Sequence, residues 1–225
     1  MKFGMNKETI GSVVAVALVA LGGWYAFTSG NLGGQGGPAA VGAAGAVALV
    51  NGEEVSRSTF DAAKAQISAQ QGSSATTTEL EKLALDSTIG RVLLLQAARQ
   101  AGLSASTTAV EAEIQAAKEQ LGGQEAYDKQ LVTLGMTEEG LRTQIRENLA
   151  IQAYLEKALS LSALTATDAE IKTAYDQVVA GQSGAPALSE VKEQVRQLVI
   201  GQKQQQLITG EVEKLRAVAD IKILI

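Results

Sequence analysis

The 225-residue chain contains no cysteine and no histidine, has only two prolines, and is only 4% aromatic. Without cysteine it forms neither a disulfide framework nor a thiolate zinc site. Without histidine it lacks Ser-His-Asp and Cys-His nucleophile pairs and the commonest metal ligand in proteins. With so few aromatic side chains, we expect a core of Leu, Ile, Val and Ala carried on helices.

Charge is almost missing from the first fifth of the chain. Lys2, Lys7 and Glu8 are the only charged residues before Glu53, so the rest of the chain has 17 basic and 23 acidic residues and a net charge of −6. An acidic domain without a basic stripe argues against nucleic acid as a partner. It also argues against broad binding to an anionic membrane surface.

One long apolar run stands near the N-terminus. Residues 10–27 read IGSVVAVALVALGGWYAF, and about 18 apolar residues cross a hydrocarbon core of roughly 30 Å as a helix. Lys7 precedes the run, and Trp24 and Tyr25 at its far end suit the membrane interface. We interpret residues 1–9 as cytoplasmic, residues 10–27 as a transmembrane signal anchor, and the remainder as exported.

The competing interpretation of this run is a cleaved signal peptide. Small-residue sites such as Ala44-Gly45-Ala46 exist, but they lie far beyond the apolar core, whereas cleavage normally follows it closely. A buried core helix fits poorly, because the chain before Ile10 is too short to cover it. Residues 28–46 are rich in Gly and Ala and predict a flexible linker that spans about 23 Å on average.

Strand signals occur at both ends of the exported part. Val47–Val50 is followed by Asn51-Gly52, a strong hairpin turn because both residues tolerate positive φ. At the other end, Asp220–Ile225 alternates in the manner of a strand. A lone hairpin is marginal in water, so we expect these segments to pair in a small sheet that joins the two ends of the domain.

The chain between these strands has helical periodicity. Helix starts are predicted from capping residues, and helix ends from glycines. The predicted starts are Ser58, Thr76-Glu79, Thr108-Glu111, Thr137, Thr167-Glu170 and Ser189, and the predicted ends are Gly102, Gly122-Gly123 and Gly135. The fold class is therefore mainly α, with a loop at residues 177–188.

The order of these segments resembles the SurA/PrsA/PpiD class of extracytoplasmic chaperones over residues 47–225. Their N-terminal domain is similar to VALVNGEEVSRSTFD, LLLQAARQAGL and VEAEIQAAKEQLGGQEAYDKQLVTLGMTEEGLRTQIRENLAIQAYLE. The helix before their parvulin module resembles TDAEIKTAYDQ, and their closing helix and strand resemble SEVKEQVRQLVIGQKQQQLITGEVEKLRAVADIKILI. The resemblance implies a SurA-N-like helical chaperone domain.

The chain departs from that family at one place. A parvulin prolyl-isomerase module usually separates the last two helices, but here only residues 176–190 separate Tyr175 from Val191, and so short a segment cannot bury a core. Parvulin sites also bear histidine, which this chain lacks.

The acidic pairs do not suggest catalysis either, because a pair such as Glu138-Glu139 suits the first turn of a helix. We therefore expect no catalytic residue, no metal ligand and no cofactor.

The function that remains is binding. We expect a membrane-anchored periplasmic holdase, in the bacterial inner membrane with a single pass, whose partners are unfolded or exported polypeptides, including precursors of outer-membrane proteins. The alternative is a scaffold for one envelope partner; an enzyme is the third and weakest reading. A homodimer is compatible with the sequence.

Adaptable or amphipathic side chains near the break at residues 122–136 predict the peptide site, which comprises Tyr127, Leu131, Met136, Leu141 and Tyr154. For Tyr127 and Met136 the competing interpretation is an ordinary core position.

Overall fold

A computed structural model describes residues 45–71, 76–179 and 185–225. The elements run in the order β1 (Ala46–Val50), β2 (Glu53–Ser56), α1 (Arg57–Gln71), α2 (Thr77–Gln100), α3 (Thr107–Leu121), α4 (Gln124–Thr133), α5 (Glu138–Leu159), a 3-10 turn (Leu161–Ala163), α6 (Asp168–Val179), α7 (Leu188–Val218) and β3 (Ile221–Ile223).

The predicted membrane anchor lies outside the described residues. This applies to residues 10–27 with Lys7, Trp24 and Tyr25, and to all but the last two residues of the predicted linker. Within the described ranges, no helix is long and apolar enough to cross a bilayer. Ala46, the last residue of the predicted linker, is the first residue of β1.

Contacts divide the described chain into two compact units. The first comprises residues 45–71, 76–158 and 211–225, and the second comprises residues 159–179 and 185–210. The sequence alone treats residues 47–225 as one domain. Helix α7 contributes its first part to the second unit and its last turns to the first.

The first unit contains the predicted sheet. Its strand order is β2-β1-β3, and both pairings are antiparallel. Asn51 and Gly52 have φ angles of 51° and 83°, as a tight hairpin turn requires. Ala48 faces Ile223 and Val50 faces Ile221 in the register of β1 with β3. The prediction that the strand at Val47–Val50 pairs with the strand near residue 225 in one sheet is confirmed.

Asn51 connects the hairpin turn to two distant parts of the same unit. Its backbone N–H donates to the Asp220 carbonyl at 2.8 Å, and its Oδ1 accepts from the Asp220 N–H at 2.9 Å. Its Nδ2 donates to Gln96 Oε1 at 2.8 Å, and Gln96 Nε2 donates to the Val50 carbonyl at 3.0 Å. One turn residue thus fixes the approach of the chain to β3 and the position of α2.

The core of the first unit lies against this sheet. Its fully buried members come from β1, β2, α1 and α2: Val47, Ala48, Val50, Val55, Phe60, Ala84, Ile89 and Leu93. Leu215 at the end of α7, Ala219 just after that helix and Ile221 of β3 pack against them. Gly90 lets α7 approach α2 closely, because a Cβ there would lie 3.3 Å from Cγ1 of Val212.

Three of the predicted helix starts are correct and three are displaced. Thr76-Glu79 and Thr167-Glu170 form reciprocal capping bonds, and Thr137 Oγ1 accepts from the Gly140 N–H. Helix α1 begins at Arg57, where Ser56 rather than Ser58 caps it. Helix α3 is capped by Ser106, two residues before Thr108, and α7 begins at Leu188, ahead of Ser189. Runs of Ser and Thr offer several capping registers, and the apolar face selects one of them.

The second unit has its own small core, formed by Ile171, Ala174, Val195 and Val199. An ion pair and a hydrogen bond from Lys203 stabilise the start of α6. Lys203 Nζ contacts Glu170 Oε1 at 2.6 Å and donates to the Thr165 carbonyl at 2.9 Å. The loop predicted for residues 177–188 is shorter than expected, because α6 continues to Val179 and α7 already includes Leu188.

We predict that Asn51→Ala lowers the free energy of unfolding by about 2 kcal/mol. Alanine loses both side-chain hydrogen bonds and is unfavourable at positive φ. Asn51→Gly keeps the favoured backbone conformation and should cost about 1 kcal/mol. Urea unfolding followed by circular dichroism measures both, and equal effects of the two variants would contradict the contribution of the backbone conformation.

We also predict an acid-dependent contribution from Glu170. The bond from Lys203, followed by the Thr167 backbone and hydroxyl donors, lowers its pKa from 4.5 to about 2. A lowered pKa stabilises the fold above the unfolded value, so this contribution is complete above pH 4.5 and is lost as the pH falls towards 2. In urea unfolding, Glu170→Gln should be less stable than the natural protein at pH 7, and the difference should disappear near pH 2. A difference in stability between the two proteins that does not change with pH would contradict the lowered pKa of Glu170.

Candidate functional site

The predicted peptide site centres on α4 and the helices on either side of it in the chain. We call the segment from α3 to the first turns of α5, residues 107–142, the α4 region. Four of the five predicted residues lie in it: Tyr127, Leu131, Met136 and Leu141. Tyr154 is the fifth, and it lies 13 residues beyond Leu141, about 20 Å further along α5 at 1.5 Å per residue.

Helix α4 is short, and glycines bound it on both sides. Gly122 and Gly123 end α3 with φ angles of 90° and 118°, and Gly135 follows α4 with a φ of 62°. Gly123 stands at the N-cap of α4, where it makes no side-chain capping bond. The predicted break at Gly122-Gly123 and the predicted end at Gly135 are both confirmed.

The predicted residues of the α4 region differ in exposure. Tyr127 is 2% exposed and Leu141 is 4% exposed, so both are interior side chains in this conformation. Leu131 and Met136 are half-buried. Only these two of the four therefore present apolar surface to a partner here. Nothing in the structure tests peptide binding, so the site stays a prediction.

Sequence reasoning missed Val132, which is 80% exposed on α4. Tyr127, Leu131 and Leu134 define the apolar face of this helix, and Val132 falls outside that spacing. A large apolar side chain off the buried face was the available signal. With the half-buried Leu131 and Met136, Val132 gives the α4 region accessible apolar surface.

Tyr127 has an unusual polar environment for a buried residue. Lys118 Nζ lies 5.0 Å from the centroid of its ring, a cation–π distance. Its hydroxyl is buried without a hydrogen-bond partner among the described residues. Burial first, and then the charge of Glu138, raise the pKa of Tyr127. A buried hydroxyl without a partner opposes the packing of α4 by about 1–3 kcal/mol.

Arg142 joins α3 to α5. Its guanidinium pairs with Glu111 of α3 and, at 2.6 Å, with Glu138 of its own helix. These two bonds raise the pKa of Arg142 above its already high ordinary value. The pairs connect α3 and α5 without a covalent bond or a contribution from α4.

Tyr154 has a different setting on α5. Its hydroxyl donates to Glu211 Oε1 of α7 at 2.7 Å, and burial together with this bond raises the pKa of Tyr154 to about 12. Its ring packs beside a buried cluster of Leu95, Ala98 and Ala150. This residue therefore connects α5 to the end of α7, apart from the α4 region.

The described residues offer no grouping that suggests metal chemistry. Across residues 45–71, 76–179 and 185–225, no three acidic side chains converge as metal ligands would. The acidic pair Glu138-Glu139 lies in the first turn of α5. Glu138 bonds Arg142 there. The expectation that the chain has no cofactor and no catalytic residue stays a prediction.

The first unit is a mainly helical body whose small sheet joins distant parts of the chain, and its short helix α4 carries accessible apolar side chains. A profile of the SurA-like N-terminal domain matches residues 5–155. The chain therefore belongs to the SurA-like N-terminal domain family, which indicates a chaperone-type role and the binding of polypeptide clients.

No curated protein and no solved structure matches the chain. The family match ends at residue 155, so it does not include α6, α7 or β3. The resemblance of residues 167–177 to the helix before the parvulin module, and of residues 189–225 to the closing helix and strand of the family, stays a prediction, although β3 does pair with β1.

We predict that Tyr154→Phe lowers the free energy of unfolding by about 1–2 kcal/mol, because it removes the donor to a carboxylate that is mostly buried. Client affinity of the folded variant should be unchanged. Urea unfolding and a peptide-binding titration separate the two effects. Loss of client affinity at unchanged stability would instead make Tyr154 a binding residue, as the sequence suggested.

Proposed function

We propose that this protein is a membrane-anchored holdase of the bacterial periplasm that binds unfolded or partly folded exported polypeptides. The observation that carries the proposal is the family match over residues 5–155 together with the accessible apolar side chains of the α4 region. Family membership supplies the general role, and Leu131, Val132 and Met136 supply a surface for it.

Physical magnitudes favour weak and reversible binding at such a surface. Apolar burial stabilises a complex by about 25 cal/mol per Å². A few hundred Å² therefore contribute several kcal/mol, and the ordering of an unfolded client offsets much of this. A holdase needs that balance, because its clients must dissociate before they fold.

The membrane location rests on the sequence. The uncharged run at residues 10–27, Lys7 before it, and Trp24 and Tyr25 at its end support a single-pass anchor with the following domain in the periplasm. Alkaline extraction of membranes and protease protection in spheroplasts test this proposal. A protein released by carbonate would contradict the anchor.

The proposal includes the absence of isomerase activity. The chain has no histidine, and its two helices α6 and α7 are separated by residues 180–187 alone. A peptide assay of prolyl isomerisation should therefore give the uncatalysed rate. A rate that rises with protein concentration would contradict this part of the proposal.

The holdase activity is tested by the aggregation of an unfolded outer-membrane protein, measured by light scattering. A several-fold molar excess of the full chain should suppress scattering. Affinity purification then separates two functions: a diffuse set of clients supports a holdase, and one stoichiometric folded partner supports a scaffold. No suppression at that excess would overturn the holdase.

We predict that Val132→Ser weakens client binding about fivefold, because roughly 1 kcal/mol of apolar burial is lost. Val218→Ser is the matched control: Val218 is 84% exposed and Val132 is 80% exposed, but Val218 lies at the end of α7. Fluorescence anisotropy with one labelled client peptide measures both variants. Equal weakening by the two substitutions would remove the α4 region as the client surface.

A further inference from the structure

Helix α4 is held in place weakly. It has ten residues, and Tyr127 is its one buried side chain. Helices of this length are marginal in water without packing. The hydroxyl of this buried Tyr127 has no hydrogen-bond partner among the described residues. The closed position of α4 therefore includes an uncompensated polar burial that water would relieve if the helix moved outward.

Both ends of α4 allow such a movement. Gly122, Gly123 and Gly135 all have positive φ, so no side chain restricts the backbone at the points where a swing would be absorbed. The Arg142 pairs with Glu111 and Glu138 join α3 to α5 directly. The two neighbouring helices thus remain connected when α4 is displaced.

The charge of the same segment indicates what would bind there. Residues 107–142 carry seven acidic and three basic side chains, a net charge of −4. The whole exported part has a net charge of −6, so most of the excess lies in the α4 region. An apolar surface within an acidic field favours an apolar segment flanked by cations, and it disfavours one flanked by anions.

We propose that α4 opens at its glycine-bearing ends and admits an apolar client segment flanked by Lys or Arg to the α4 region. This inference rests on the proposed holdase function and names the client chemistry of its binding site. In the closed state the Tyr127 hydroxyl is buried and unpaired, and in the open state it is hydrated. Client binding therefore draws on a population of open molecules.

Tyr127→Phe tests the opening. Phenylalanine keeps the ring and its contact with Lys118 but removes the unpaired hydroxyl. The closed state therefore becomes more stable relative to the open state. Amide exchange in α4 should slow about tenfold, and client affinity should fall by the same factor. Tyr175→Phe is the matched control in the second unit, where the hydroxyl donates to the Pro186 carbonyl at 2.6 Å; it should leave exchange in α4 unchanged.

Two peptides with one apolar core test the client chemistry, with the full chain in lipid nanodiscs. The form flanked by Lys should bind at least tenfold more tightly than the form flanked by Glu at low salt, and the ratio should fall as salt rises. A saturating amount of the Lys-flanked peptide should accelerate amide exchange in α4.

The outcomes distinguish this inference from the holdase function. If the natural protein neither suppresses aggregation nor binds either peptide, the holdase function fails, and the inference fails with it. If the protein binds clients but does not discriminate between the peptides, or if Tyr127→Phe does not slow exchange in α4, only the inference is overturned. Faster exchange in Tyr127→Phe would mean that the hydroxyl has a partner such as a buried water.

Discussion

The first unit depends on the pairing of β1 with β3, two strands separated by most of the described chain. Neither strand is stable alone, because β3 has three residues and the β1–β2 hairpin is marginal without further packing. Once paired, they bury Ala48 and Val50 against α1 and α2 and draw the end of α7 to the same core. Asn51 fixes the approach through its two bonds to Asp220. The contact is entropically demanding, since a long loop must close before it forms.

Turns, caps and helix breaks were predictable from the sequence, whereas contacts between residues far apart in the chain largely were not. The Asn51-Gly52 turn, the Thr76 and Thr167 boxes and the glycine breaks were correct because each depends on residues within four positions. The pairing of the end strands followed from elimination, since no other strand partner was visible. The bond from Tyr154 to Glu211 joins residues 57 positions apart, and no sequence pattern marks it. The misplaced caps at Ser58, Thr108 and Ser189 show that propensity alone does not choose among neighbouring Ser and Thr residues.

The predicted peptide site shows the same limit more sharply. Side-chain type selected Tyr127, Leu131, Met136, Leu141 and Tyr154, but burial separates them into interior, half-buried and interhelical positions. A tyrosine suits a binding surface and a core equally well by composition. Exposure is a property of the tertiary packing, so Val132 emerged only with the structure. Its position off the apolar face is the feature that a closer helical projection would have identified.

An imperfectly satisfied interior is consistent with a protein that binds transient partners. A helix packed by a large apolar ring without a polar defect would bury its surface too stably to yield it. A fully exposed apolar surface would instead promote self-association. The unpaired Tyr127 hydroxyl keeps the packing of α4 from becoming too stable. The excess of acidic side chains opposes self-association, since like-charged surfaces repel one another. The same two features therefore favour the proposed opening of α4 and limit self-association of the α4 region.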